Sequence, residues 1–119
     1  MTGAPLGRDL RQARIHYGKD ISNMIIEGFI WLTDIVDKLE NKHGVAISEV
    51  ESVFVGIPVF NRIGRGHVRG EDLYRAMGQT DSGRYLTVFF IYKMTHEALV
   101  ISARDVTAKE RKHYAKRKR

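Results

Sequence analysis

The chain has 119 residues with 43% apolar side chains, which suits one domain with one modest core and excludes a disordered protein. It contains no cysteine, which excludes a disulfide framework and a thiolate metal site. Its net charge is +6, and its apolar runs fall short of the roughly 18 to 20 residues of a membrane span. With no apolar signal segment near the N-terminus, we expect a cytoplasmic protein.

The positive charge is concentrated at the C-terminus. Residues 108–119 contain seven Lys and Arg against the single acid Glu110, so residues 1–107 are neutral overall. A basic block on a neutral body favours a polyanion or an acidic protein surface as its partner. The alternative is a solvated terminal tail without a partner.

Residues 1–23 mix glycine, proline and charged residues at no steady period, which predicts a poorly ordered extension. Met24 could also be a start, so we expect a single domain over residues 24–119 with the basic tail at its end. The first ordered segment is the apolar run Ile25–Trp31, which has the length of a strand.

Two short helices are predicted next. The first begins with Thr33 as N-cap and ends before Gly44, with acids in its first turn and lysines in its last. The second begins at Ser48, which has the capping-box spacing to Glu51, and ends at Pro58.

The period then changes to that of strands, at Val59–Arg62, Leu73–Gln79, Tyr85–Tyr92 and Ala98–Ala103. Thr107 and Glu110 form a second capping box, which predicts a final helix that carries the basic tail. The order predicts an α+β fold: a small antiparallel sheet, or meander, with two N-terminal helices on one face and a C-terminal helix.

Four short motifs occur in a fixed order along this pattern. Residues 42–45 read KHGV, residues 76–78 AMG, residues 81–88 DSGRYLTV and residues 101–107 ISARDVT, the last followed by Glu110, Arg111 and Tyr114. In this order they resemble the motifs of the BrnT family of toxins from type II toxin–antitoxin systems. The resemblance spans about Phe29 to Tyr114, and it departs from the family pattern at Leu73, where an arginine is usual.

The resemblance implies a RelE-like fold and RNA cleavage without a metal or other cofactor. It also implies neutralisation by a ribbon-helix-helix antitoxin, with the complex binding operator DNA through the antitoxin. Neither a membrane nor a metal is expected, since the five histidines lack the spacing of a helical metal site.

Metal-free RNA cleavage uses the 2′-hydroxyl as nucleophile, so it needs a base, an acid and a cation for the charge that develops on phosphorus. We expect the catalytic residues to be His43, Lys42, Arg104 and Glu110. A histidine can act as acid or base near neutral pH, and an arginine at a strand end can clamp a phosphate. The alternatives are a His43 that only caps its helix and an Arg104 held in a structural ion pair.

Two basic groups are candidates for RNA binding. One is the glycine-rich stretch with Arg62, Arg65 and Arg69, whose glycines would let a phosphate backbone approach closely. The other lies in the tail and comprises Arg111, Lys112 and Lys116. A solvated loop and a solvated tail are the alternatives.

Three functions therefore compete: an endoribonuclease toxin, a binding module of the same fold without catalysis, and a structural partner whose tail docks an acidic protein. For the first, we expect the sheet to bring His43 and Arg104 together on one phosphate.

Overall fold

The computed structural model describes residues 24–118. Its elements in chain order are β1 (Gly28–Ile30), α1 (Thr33–Lys38), a π-helical turn (Leu39–His43), α2 (Ile47–Val55), β2 (Val59–Gly64), β3 (Leu73–Gln79), β4 (Tyr85–Tyr92), β5 (Glu97–Asp105) and α3 (Ala108–Lys118). The α+β class is confirmed, whereas the extension predicted for residues 1–23 lies outside the described residues. None of the described helices has the length and apolar character needed to cross a membrane.

The five strands form one sheet in the order β1-β5-β4-β3-β2. Strands β2 to β5 are antiparallel neighbours, as a meander requires, but β1 pairs parallel to β5 with Gly28 opposite Glu97. The prediction of a purely antiparallel sheet is therefore wrong. Helices α1 and α2 connect β1 at one edge of the sheet to β2 at the other edge. Strands β2 to β5 then lead back across the sheet, so that β5 lies beside β1 and runs parallel to it.

Side-chain alternation gives the sheet two different faces. Leu86, Val88 and Phe90 of β4 are fully buried and face α2, where Phe54 meets Phe90 edge-on at 5.3 Å between ring centroids. The predicted bounds of β3 and β4 are confirmed, because both runs are apolar and end at turns. The other face of the sheet is covered in part by α3.

A β-bulge in β5 divides that strand into two halves. Phe89 pairs with Ser102 and Phe90 with Val100, so Ile101 is an extra residue without an opposite partner. Ala98 and Val100 face α2 before the bulge, and Ala103 faces α2 after it. Strict alternation would have turned residue 103 the other way, so the bulge reverses the faces of the strand's C-terminal half.

The helix starts differ from the predicted ones. Thr33 is the first helical residue of α1 rather than its N-cap, and Leu32 in that place gives no side-chain cap. Helix α2 begins at Ile47, and its cap is a bond of 3.0 Å from the Ala46 N–H to the Glu49 carboxylate. The predicted capping box of Ser48 and Glu51 is therefore wrong, because Glu51 points inward.

Glu51 is a buried carboxylate, 8% exposed, that accepts a bond of 3.1 Å from the Trp31 indole N–H. Burial raises its pKa, and the bond from Trp31 opposes that rise only in part. A raised carboxyl pKa favours the folded state below the ordinary value near 4.5, and this contribution is lost as the pH rises through the folded-state pKa. Ionised Glu51 therefore costs stability at neutral pH.

We expect Glu51→Gln to stabilise the protein at pH 7 by on the order of 1 kcal/mol, because the amide still accepts from Trp31 and carries no charge. Thermal melts at pH 7 and pH 4 measure the effect, and the advantage should shrink at pH 4. The exposed Glu40→Gln serves as the matched control and should change little. A Gln variant less stable than the native protein at both pH values would contradict this expectation.

Candidate functional site

The sheet face toward α3 carries a row of polar side chains that neighbouring strands bring into line. Thr87 of β4 pairs with Arg104 of β5, and Phe89 of β4 pairs with Arg75 of β3. Arg75 in turn pairs with Asn61 of the edge strand β2. We call this surface, together with helix α3 above it, the α3 face.

Glu110 of α3 lies at the centre of this face, with its side chain 12% exposed. Its carboxylate accepts bonds of 2.9 Å from both terminal nitrogens of Arg104 and a bond of 3.0 Å from the Thr87 hydroxyl. It also accepts from the Thr107 N–H, while the Thr107 hydroxyl accepts from the Glu110 N–H, which confirms the predicted capping box. The carboxylate therefore occupies an anion site built by two strands and a helix start.

The bond from Arg104 is the largest cause that lowers the pKa of Glu110, to about 2, and burial opposes it. Glu110 therefore stays ionised at neutral pH and has no proton to donate, and its lone pairs are already shared with four donor groups. It is suited to hold the arginines in place and not to transfer a proton. The same bond raises the pKa of Arg104, which remains a cation.

Arg75 is a residue of this face that the sequence reasoning missed. Its Nη2 donates to the Asn61 amide oxygen at 2.8 Å, and its Nη1 lies 3.6 Å from Glu110. Its Nε is buried and has no hydrogen-bond partner among the described residues. The available signal was a lone charge inside an apolar strand. Arg75 also shares a face of β3 with Leu73, where the resemblance leads one to expect an arginine.

Of the predicted RNA-binding residues of the tail, Arg111 contacts the sheet, whereas Lys112 and Lys116 point away from it. Arg111 stacks its guanidinium over the Tyr85 ring, 3.6 Å from the centroid, and Tyr114 meets Tyr85 edge-on. Lys112 and Lys116 are exposed and border a shallow depression of about 410 Å³. The tail is thus a helix docked on the sheet through its aromatic and acidic side chains, with its lysines toward solvent.

His43 and Lys42 lie elsewhere, exposed at the end of the π-helical turn. The Arg84 side chain holds this turn in place, because it donates to the carbonyl oxygens of His43 at 3.1 Å and Gly44 at 2.8 Å. It also donates to Asp105 at 2.7 Å and to Glu49 at 3.2 Å. Gly44 has φ of +60°, which glycine adopts without strain. Residues of the KHGV motif and Arg84 of the DSGRYLTV motif are therefore joined in one hydrogen-bond network.

Arg104 and Asp105 direct their side chains to opposite faces of β5, and the expectation that His43 and Arg104 share one phosphate stays a prediction. Asp105 points to the side of the sheet that holds Arg84 and the His43 turn, whereas Arg104 points to Glu110 on the α3 face. The bulge at Ile101 is the reason, since it turns Arg104 away from the face that Ala98 and Val100 occupy.

The third predicted group lies at the end of β2 and in the connection to β3. We call residues 62–72, which include the last three residues of β2, the arginine loop. Arg62 donates to Asp72 at 2.9 Å, while Arg65 and Arg69 are exposed. The loop encloses a concavity of about 520 Å³. It lies at the end of the sheet opposite Arg104, since β3 begins there with Leu73 paired to Ile91.

Comparison with known families identifies the family of the chain. A family model described as the ribonuclease toxin BrnT of type II toxin–antitoxin systems matches residues 34–110. The chain belongs to the BrnT toxin family. A search among curated proteins found no similar sequence. The BrnT match includes the Arg84 network, the arginine loop, Arg104 and Glu110, and it ends before Lys112 and Lys116.

As a BrnT-family toxin, the chain has an antitoxin as its partner and RNA as its target. Within residues 24–118, no group of three or more His, Asp or Glu side chains is arranged to hold a metal ion.

Proposed function

We propose that this toxin is a metal-independent endoribonuclease of RelE-like fold that cleaves cellular RNA in the cytoplasm on its α3 face. The observation that carries the proposal is the convergence of Arg104 and Arg75 on the carboxylate of Glu110. Planar guanidinium groups bind carboxylate and phosphate oxygens with the same paired geometry. A surface that already holds an anion is therefore suited to hold a phosphodiester beside it.

In the proposed reaction the 2′-oxygen of RNA forms a bond to phosphorus while the bond from phosphorus to the 5′-oxygen breaks. The products are a 2′,3′-cyclic phosphate and a 5′-hydroxyl end. Negative charge builds on the non-bridging oxygens, where Arg104 and Arg75 would donate hydrogen bonds that strengthen in the transition state. Glu110 is then a positioning residue, since it touches both arginines and none of the reacting atoms.

The groups that line the α3 face indicate what can act as the general base that removes the 2′-proton. The side chains that β3 and β4 direct toward this face include no carboxylate and no imidazole, and the carboxylate of Glu97 lies at the far end of β5, where it accepts from the Thr95 hydroxyl. On α3 itself, Glu110 is engaged and the Nε2 of His113 is buried without a partner in the described residues. We therefore propose that hydroxide from solvent removes the 2′-proton and that a water molecule returns a proton to the departing 5′-oxygen, so that the cleavage rate rises with pH instead of following a bell-shaped profile.

For His43 and Lys42 we propose contact with a neighbouring nucleotide of the same strand. Both are exposed and stand across Asp105 from Arg104, at the same end of the sheet. A strand that passes over this end would reach them after leaving the α3 face. His43→Ala should therefore raise KM more than it lowers kcat.

We further propose that the antitoxin is a ribbon-helix-helix protein, and that the complex binds operator DNA through it. The exposed cations of α3 support an acidic segment of the antitoxin as the contact that masks the toxin. Masking would then compete directly with RNA for the same charges.

A second function, a nucleic-acid-binding module without catalysis, is favoured because both terminal nitrogens of Arg104 are already bonded to Glu110. Incubation of the purified chain with RNA in EDTA distinguishes the two. We expect cleavage to continue in EDTA, to leave 2′,3′-cyclic phosphate ends, and to accelerate about tenfold per pH unit below the pKa of the 2′-hydroxyl.

Binding without cleavage at every pH would instead identify the module. Loss of cleavage in EDTA with recovery in excess Mg²⁺ would contradict metal independence. A bell-shaped pH profile would contradict the proposal that solvent removes the 2′-proton and would indicate a histidine as the base.

A further inference from the structure

The arginine loop has a fixed conformation. Gly70 has φ of +85°, and a side chain at Gly66 would clash with the carbonyl oxygen of Glu71. Glu71 itself is 7% exposed and accepts from the Lys93 ammonium at 2.7 Å and from the Met94 N–H at 3.0 Å. These bonds fasten the loop to the turn between β4 and β5, so its position does not depend on a ligand.

Of the cations of this loop, only Arg62 has an ion-pair partner among the described residues. Arg62 is oriented by Asp72, its partner at 2.9 Å. Arg65, His67 and Arg69 are exposed and form no ion pair with another residue in the range 24–118. Three arginines thus border one concavity of about 520 Å³, with a single carboxylate that already has a partner.

The geometry points to a preformed site for a phosphate group of nucleic acid, separate from the cleavage site, and we propose that the arginine loop holds the RNA strand there. Glycines on the lining let a phosphate approach the backbone, and a loop backbone that is already held by Glu71 loses little entropy when the phosphate binds. This inference rests on the proposed function for its substrate. An acidic protein segment is the competing occupant, and the absence of any apolar lining residue other than Val68 argues against it.

The arginine loop and the cleavage site lie at different positions along β3. Arg75 lies two residue steps of β3 from Leu73, where the loop ends, which is about 7 Å. Arg104 lies farther away, because its partner Thr87 pairs with Met77, four steps from Leu73. That is about 13 Å along the strand. A phosphate bound to Arg104 does not reach the loop, so a dinucleoside monophosphate cleaved there leaves the loop empty, whereas a longer strand engages both sites.

The test measures binding without cleavage. Anisotropy of a labelled 2′-O-methyl RNA 12-mer, which lacks the nucleophile, is followed against salt for the native protein and for Arg65→Ala/Arg69→Ala. We expect the double variant to bind about tenfold more weakly, with a salt slope lower by about 0.7 for each phosphate that it no longer neutralises. Lys38→Ala, which removes an exposed cation of α1, should leave the slope unchanged.

Paired oligonucleotides with a 5′-hydroxyl or a 5′-phosphate separate the two sources of the group. Tighter binding of the 5′-phosphate form, abolished in the double variant, assigns the site to a strand end. Equal binding of both forms, with the same weakening in the variant, assigns it to an internal phosphodiester.

A second readout is independent of affinity. The double variant should cleave a dinucleoside monophosphate as the native protein does, while losing the preference for the longer strand. An unchanged salt slope and affinity for the 12-mer would overturn the proposal. So would a double variant that binds RNA normally and loses only the antitoxin. Failure of the native protein to cleave any RNA, with the binding result intact, would reject the proposed function and leave the phosphate site standing.

Discussion

Arg104→Ala is expected to lower the rate constant of the cleavage step by about 10²- to 10³-fold. This is the usual loss when one preorganised donor to a developing oxyanion is removed. The expectation follows from the proposed role of Arg104, whose two terminal nitrogens already form paired bonds of 2.9 Å with the Glu110 carboxylate. Single-turnover cleavage of a defined RNA at saturating protein measures the effect on the chemical step.

Three companion measurements make that result interpretable. Arg104→Lys keeps the charge and loses the paired geometry, so it should recover only a small part of the rate. Lys38→Ala removes a distant cation and should cleave normally. Arg104→Ala must also be shown to be folded by its circular dichroism, because Glu110 loses its main partner in that variant. Cleavage by folded Arg104→Ala within threefold of the native rate would exclude a catalytic role.

Glu110→Gln is expected to destabilise the fold by about 3 kcal/mol at pH 7. The folded carboxyl has a pKa of about 2 against an ordinary value of 4.5, and each unit of difference corresponds to about 1.4 kcal/mol. Because the folded pKa is lowered, this contribution is present above the unfolded value and is lost as the pH falls through the folded one. Urea unfolding at pH 7, 5 and 3 measures it.

The native protein should therefore lose stability between about pH 5 and pH 2, and Glu110→Gln should lose less over the same range. Glu40→Gln, which alters an exposed carboxylate on the π-helical turn, should follow the native curve. Parallel curves for the native protein and Glu110→Gln would show that other carboxylates carry the acid sensitivity.

Local sequence signals predicted the elements that depend on neighbouring residues alone. The bounds of Leu73–Gln79 and Tyr85–Tyr92 follow from apolar runs that end at turn residues. The capping box of Thr107 and Glu110 was recognisable because three-residue spacing suffices to form it. The same spacing failed at Ser48 and Glu51, since Trp31, 20 residues from Glu51, takes that carboxylate into the interior.

The composition of the candidate site could not be predicted in the same way. Arg75 and Glu110 are 35 positions apart, and only the register of the sheet and the docking of α3 bring them within 3.6 Å. The sequence also indicated Arg104 as a phosphate clamp without indicating the face on which it lies. Motif similarity identified the family, but neither the KHG nor the SAR motif shows which of its charges serves the fold and which is free to bind.

The single unpaired residue Ile101 reverses the alternation of side chains between the two faces of β5. Before it, even-numbered positions point toward α2; after it, odd-numbered positions do. Asp105 consequently closes the Arg84 network while Arg104 meets the C-terminal helix, and adjacent residues serve two separate surfaces. Removal of one residue at this point would exchange the two side chains, leaving a cation beside Arg84 and a carboxylate beside Glu110. The bulge therefore keeps the cation of Arg104 away from Arg84 and the carboxylate of Asp105 away from Glu110.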